Sequence, residues 1–174
     1  MNNYQLVEMQ GNEEDYQLLY KWCSQEYIYE WFEQRKLSYD EIIMKYQQKL
    51  SERKQDLFFI EINDEKIGFV QIYQYPKDLD FPVLENYSNI YEYDIFIGEI
   101  DYVSKGYGSD IIPYINKYIY RKYQADAIIL RVFKRNTIAL KCYEKAHFKV
   151  LEEYFSVDTI GNKEEMVLLI NEKR

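Results

Sequence analysis

The sequence predicts an α+β fold on a mixed, mostly antiparallel sheet, and three observations lead there. Leu57–Ile62 and Ile67–Tyr75 are β-prone runs on either side of Asn63-Asp64-Glu65-Lys66, the pattern of a hairpin. Ile90–Ile97, a strand by its alternation, is followed by a glycine turn, an amphipathic helix and the apolar strand Ala127–Val132, a crossover that makes those two strands parallel. The whole order, β-α-α-β-β-β-α-β-α-β-β, alternates too little for an all-parallel sheet.

Each element has a local reason. Tyr4–Met9 alternates and forms a short first strand, and Gly11-Asn12 introduces a helix carrying Leu18, Leu19 and Trp22. Glu26–Lys36 is aromatic and acidic, with Tyr27, Tyr29, Trp31 and Phe32 lacking a clean period, and fits either a helix or an ordered loop. Ser38 and Glu41 make a capping box for a helix that spaces Tyr39, Ile42, Ile43, Tyr46 and Leu50 at three and four residues. Pro76–Asn89 holds two of the three prolines and reads as a long excursion. After Ser104-Lys105-Gly106-Tyr107-Gly108-Ser109, a helix places Ile111, Ile115, Tyr118 and Ile119 on one face, with Pro113 removing one N–H early in it. Asn136–Ala146 is a short helix, and Val150–Val157 and Glu164–Ile170 are strands around a turn at Gly161-Asn162.

A chain of 174 residues suits one domain with a real core, and its net charge of −8 argues against a nucleic-acid backbone binder and for a cationic partner. No run of 18 apolar residues exists and the opening MNNYQLVEMQGNEED lacks the regions of a signal peptide, so a cytoplasmic protein with no membrane partner is expected. Cys23 and Cys142 have no metal-ligand spacing; no metal is expected, and two free thiols fit a reducing compartment.

The chemistry begins at the glycine turn. Two glycines between a strand end and a helix start let successive backbone N–H groups converge on a phosphate, and the helix dipole adds to them. Neither GxxxxGK[ST] nor a full GxGxxG is present. FIGEIDYVSKGYGSD, followed one helix and one strand later by NTIALKCYEKAHF, resembles the acetyl-coenzyme A core of the GCN5-related N-acetyltransferases (GNATs), most of all the aminoglycoside 6′-N-acetyltransferases. LYKWCSQEYIYEWF and VQIYQYP extend the likeness to the first helix and third strand.

The resemblance implies a single acetyltransferase domain over residues 1–174, with a GNAT-like sheet flanked by helices and a splay between strands four and five. It implies acetyl-CoA as co-substrate, its pyrophosphate on the amides of Lys105, Gly106, Tyr107, Gly108 and Ser109. Its pantetheine arm would pair with the backbone of Phe96 and Ile97, near Asn136, and Tyr143 would give a proton to the departing thiolate. Asn136 is also a good N-cap for its helix, and Tyr143 could simply pack with Ile138 or Leu140.

Transfer to an amine requires that the nitrogen lose its proton. Asp94 matches the acid of the resembling enzymes and shares a strand face with Glu92, the reserve base, while Tyr91 points to the opposite face; Asp94, Glu92 and Tyr91 are the expected substrate-binding set. Asp78, Asp80, Glu85, Glu92 and Asp94, against Lys77 alone, form an acidic stretch suited to a small cationic amine. The expected activity is acetylation of a primary amine, an aminoglycoside 6′-amino group foremost, hence an antibiotic-resistance role. A protein N-terminus, a polyamine or another small amine, or a module holding acetyl-CoA without turnover, are the alternatives. Monomer and homodimer are both compatible. Arg131 stands where the resembling enzymes carry Asp, Val103 where the superfamily carries Gln or Arg, and His147 where a Gly is usual.

Overall fold

Asn12 starts the first helix by accepting the Asp15 amide at 2.9 Å, and Ser38 and Glu41 close the expected capping box at the third, so both helices begin where side-chain oxygens meet orphan N–H groups. The structure is a computed structural model and describes residues 3–78, 81–157 and 161–173. In chain order these form β1 (Tyr4–Glu8), α1 (Glu13–Cys23), α2 (Glu26–Phe32), α3 (Tyr39–Glu52), β2 (Gln55–Ile62), β3 (Glu65–Gln74), β4 (Ile90–Ile97), α4 (Gly108–Lys122), β5 (Ala127–Phe133), α5 (Thr137–Lys145), β6 (Lys149–Val157) and β7 (Lys163–Glu172). The Glu26–Lys36 stretch resolves into α2 followed by Gln34 in the left-handed region at φ 56°.

The strands form a seven-stranded sheet in the order β1-β2-β3-β4-β5-β7-β6, antiparallel at β1/β2, β5/β7 and β7/β6 and parallel at β4/β5. The β4/β5 ladder covers only Ile90↔Ala127 to Glu92↔Ile129, as short as the expected splay requires. The β2–β3 hairpin turns on Asn63 and Asp64 alone, both left-handed at φ 51° and 67°. Glu65 and Lys66, read as part of the turn, belong to β3, because a two-residue turn with both φ values positive matches the strand twist.

The chain divides into two compact units, Met1–Ile72 with Asp94–Lys105 and Tyr73–Tyr93 with Gly106–Arg174. In the first, Trp22 is fully buried against Phe59 and Phe96, with ring centroids 6.0 and 6.1 Å away at steep angles. Its indole N–H donates to Glu99 at 2.9 Å, and Glu99 also holds Lys21. Gly68 and Gly98 serve this core by lacking a side chain: a Cβ on Gly68 would lie 2.5 Å from the Phe96 carbonyl oxygen, and one on Gly98 2.1 Å from the Trp22 ring.

In the second unit, β7 runs between β5 and β6, and Ala127, Ile129, Leu168 and Ile170 pack with Leu84 and Ile90. Helix α4 continues past Pro113, and α5 ends in a left-handed residue, His147 at φ 66°. The His147 amide bonds the Glu144 carbonyl at 2.9 Å and the Phe148 amide bonds that of Tyr143 at 3.0 Å, the pairing of a Schellman cap, with Phe148 and Tyr143 rings 5.6 Å apart. Glycine holds this conformation without the Cβ clash. His147→Gly is therefore expected to stabilise by about 1 kcal/mol, raising Tm by about 2–4 °C in a thermal melt.

Candidate functional site

The glycine turn is shaped by left-handed residues, Ser104 at φ 59° and Gly106 at φ 89°, immediately before the 15-residue helix α4. A Cβ on Gly106 would meet nothing within 4 Å and one on Gly108 only the Cys142 sulfur at 3.6 Å, so the protein's own packing leaves the space beside both glycines open. That is what a phosphate drawn onto backbone amides needs, and the turn fits the pyrophosphate of coenzyme A. One part of the expectation changes: the Ser109 amide already donates to the Gly106 carbonyl at 3.0 Å as the first turn closes. The Ser109 amide is therefore engaged within the turn itself.

Two other expected cofactor residues have structural duties in the second unit. The Asn136 side-chain oxygen caps α5 by accepting the Ala139 amide at 3.2 Å. Tyr143 is 9% exposed and packs edge-on against Phe148; Ile138, 72% exposed, is not its neighbour in the core. Phe96 turns its ring into the aromatic core of the first unit, 4.9 Å from Phe32 and 5.8 Å from Phe69, so only its backbone can face a ligand.

Along β4 the side chains alternate as the strand period requires. Tyr91 stacks on Tyr123 at 4.5 Å, and the Tyr93 hydroxyl donates to Asn116 of α4 at 3.1 Å. Glu92 faces the other way and is 2% exposed, its two oxygens taking Arg131 Nε at 2.8 Å and Nη2 at 2.9 Å. The third arm of Arg131, Nη1, reaches Asp78 at 2.9 Å. Burial opposes the Arg131 charge, but the hydrogen bonds and charges of Glu92 and then Asp78 outweigh it and push the guanidinium further up. Both oxygens of the Glu92 carboxylate, the expected reserve base, are thus engaged by the guanidinium. Tyr91 likewise spends its ring on Tyr123. Arg131 is neutralised by two carboxylates. Asp80 of the acidic stretch lies outside the described residues.

Asp94 belongs to the first unit, in surroundings the sequence reading did not anticipate. Its Oδ2 accepts from Gln71 Nε2 at 2.6 Å, and Gln71 Oε1 accepts from Lys49 Nζ at 2.5 Å. Gln71 is buried, and its amide orientation is fixed by an ammonium on one side and a carboxylate on the other. One turn earlier on α3, Lys45 pairs with Glu33, and both lysines lie against the ring of Tyr46, 5.7 and 5.6 Å from its centre. Burial, then the Lys49 charge, pull the Lys45 ammonium down to about 8, against the pull of Cys23 and Asp94. Burial lowers Lys49 also, opposed by Asp94. The buried Cys23 thiol is pushed up to about 11, chiefly by desolvation, and offers no nucleophile. The signal for the lysines was present: positions 42, 45, 46 and 49 share one helix face, and Ile42 and Tyr46 point inward.

A folded-state value near 8, below that of an ordinary lysine, means that Lys45 holds fewer protons folded than unfolded above pH 8, so its own contribution to stability rises as pH climbs from about 8 towards 10, while the raised Cys23 thiol contributes with the opposite sign. Denaturant melts of the wild type and of Lys45→Met across that window isolate the lysine: the difference between them is expected to move in favour of the wild type as pH rises.

A family model described as an acetyltransferase (GNAT) domain matches residues 12–155. Among solved structures, aminoglycoside acetyltransferase AAC(6')-Ib in complex with coenzyme A superposes with a TM-score of 0.78 at 18% identity, covering 98% of this chain and 95% of that one. Spermidine N-acetyltransferase from Vibrio cholerae, in complex with CoA and spermine, gives 0.77 at 17% identity over 97% and 95% of the two chains. An uncharacterised protein from Bacillus halodurans gives 0.83 at 16% identity over 98% and 84%. At these identities the likeness is one of fold. No helix among the described residues is long and apolar enough to cross a membrane.

Proposed function

The chain belongs to the GNAT acetyltransferase family, and from that premise we propose that it acetylates a small primary amine by direct attack in a ternary complex, with Asp94 as the base. It is an acetyl-CoA-dependent N-acetyltransferase, and acetyl-CoA supplies the activated acyl group. The glycine turn carries this reading, because Gly106 holds a φ of 89° with open space beside it at the head of α4. Amides of Lys105–Gly108 hold the pyrophosphate, and the backbone of Phe96 and Ile97 holds the pantetheine arm. Asp94 takes the proton from the acceptor ammonium, directly or through water, freeing the lone pair that attacks the thioester carbon. As the carbon–sulfur bond breaks, Tyr143 gives the thiolate a proton, and the second proton that the nitrogen sheds as the amide forms restores the tyrosine through water. Asn136 orders α5, and with it Tyr143, through its cap.

Resemblance extends the reading to an aminoglycoside 6′-amine, and of the two structural relatives named for their substrates one is an aminoglycoside acetyltransferase and the other a spermidine acetyltransferase. Lys45 and Lys49 beside Asp94 favour a second reading, a small amine that is not a polycation. Release of CoA thiol on adding kanamycin, spermidine or small monoamines separates the two. Calorimetry with CoA tests the cofactor half: Gly106→Val, which forces a branched side chain to a positive φ, is expected to weaken binding about tenfold or more. CoA binding without amine-stimulated release would instead identify a non-catalytic binding module.

A further inference from the structure

Lys49 Nζ donates to two neutral amide oxygens, Gln71 at 2.5 Å and Gln55 at 3.4 Å. Among the described residues it forms no direct ion pair, unlike Lys45, which has Glu33. Its counter-charge is Asp94, reached through the buried Gln71. This arrangement is balanced only while Asp94 is ionised. If Asp94 takes the acceptor's proton, Lys49 is left with no anion across the bridge, half-buried and against the Tyr46 ring, where an uncompensated charge is costly.

Resting on the reading of Asp94 as the base, we propose that the acceptor is a small primary amine that also carries a carboxylate, and that Lys49, with Lys45 beside it, receives that carboxylate. An acid-bearing acceptor brings its own anion to the ammonium whose counter-charge catalysis removes, so the local charge stays balanced through proton transfer. A polycation does the reverse, adding further ammonium groups beside two that already repel each other. The same two cations assist the chemistry, since a neighbouring positive charge makes the acceptor ammonium easier to deprotonate. Gln71 keeps the two charges apart: it bonds the lysine with its oxygen and the aspartate with its nitrogen, and with Gln55 taking a second donor the ammonium keeps one for the acceptor.

The test uses matched acceptors that differ only in the acid: phenylalanine, its amide and phenethylamine, and lysine against cadaverine, read by CoA thiol release with acetyl-CoA saturating. The acid-bearing member is expected to have a kcat/KM at least about tenfold higher than its amide or decarboxylated partner. Lys49→Met is expected to collapse that ratio, mainly by raising KM for the acid-bearing member, and Lys49→Arg to restore most of it; circular dichroism checks that both variants fold. Preferential use of the acid-free or polycationic partners, or a ratio unchanged in Lys49→Met, would overturn the proposal while leaving the transferase reading intact. Absence of release with every amine, kanamycin and spermidine included, would overturn the transferase reading itself.

Discussion

Asp94→Asn is expected to lower kcat by about 10²–10⁴-fold at neutral pH, the range general-base catalysis supplies, while CoA affinity by calorimetry stays within twofold of wild type. The substitution is nearly isosteric, and an Asn oxygen can still accept from Gln71 Nε2, which donates to Asp94 at 2.6 Å. Geometry therefore survives and only the proton-accepting charge is lost. Its loss also removes the counter-charge of Lys49. Activity that recovers as pH rises, because a growing fraction of the acceptor arrives already neutral, is the signature of a missing base. Full turnover of Asp94→Asn at neutral pH with every accepted amine would refute the assignment.

Gly98→Ala is expected to produce the largest loss of stability of any single methyl addition to the first unit. Ideal placement puts the new Cβ 2.1, 2.3 and 2.5 Å from three Trp22 ring atoms, and the ring is fully buried between Phe59 and Phe96 with its N–H tied to Glu99. Nothing there is the loose end of a flexible chain. Overpacking of this kind costs about 3 kcal/mol, equivalent to a Tm lower by about 6–12 °C in a domain of this length. Gly68→Ala, whose Cβ would meet the Phe96 carbonyl oxygen at 2.5 Å, is the companion measurement.

Most elements were legible because local periodicity determined them: the capping box at Ser38, the apolar stripe of α4 and the β4 alternation all appear where the spacing places them. The left-handed cap at His147 was readable for the same local reason. Partnerships across the chain were not. Arg131 and Glu92 are 39 positions apart, and neither residue alone announces that one will bury the other. Lysines are usually solvated, whereas the helix face of Lys45 and Lys49 turns them toward Gln71 and Asp94, partners that α3 alone does not name. The narrowing of the hairpin turn to Asn63-Asp64 depended on both residues accepting positive φ, which composition suggests but does not require.

The clamp of Arg131 on Glu92 and Asp78 also bears on descent. Removing the guanidinium alone strands a carboxylate that is 2% exposed, and removing Glu92 alone leaves the guanidinium only the half-exposed Asp78; each step taken first is penalised. A single acidic substitution at Arg131 would set a second carboxylate against one already buried, so a reversal of charge at this position is reachable only as a paired exchange with Glu92.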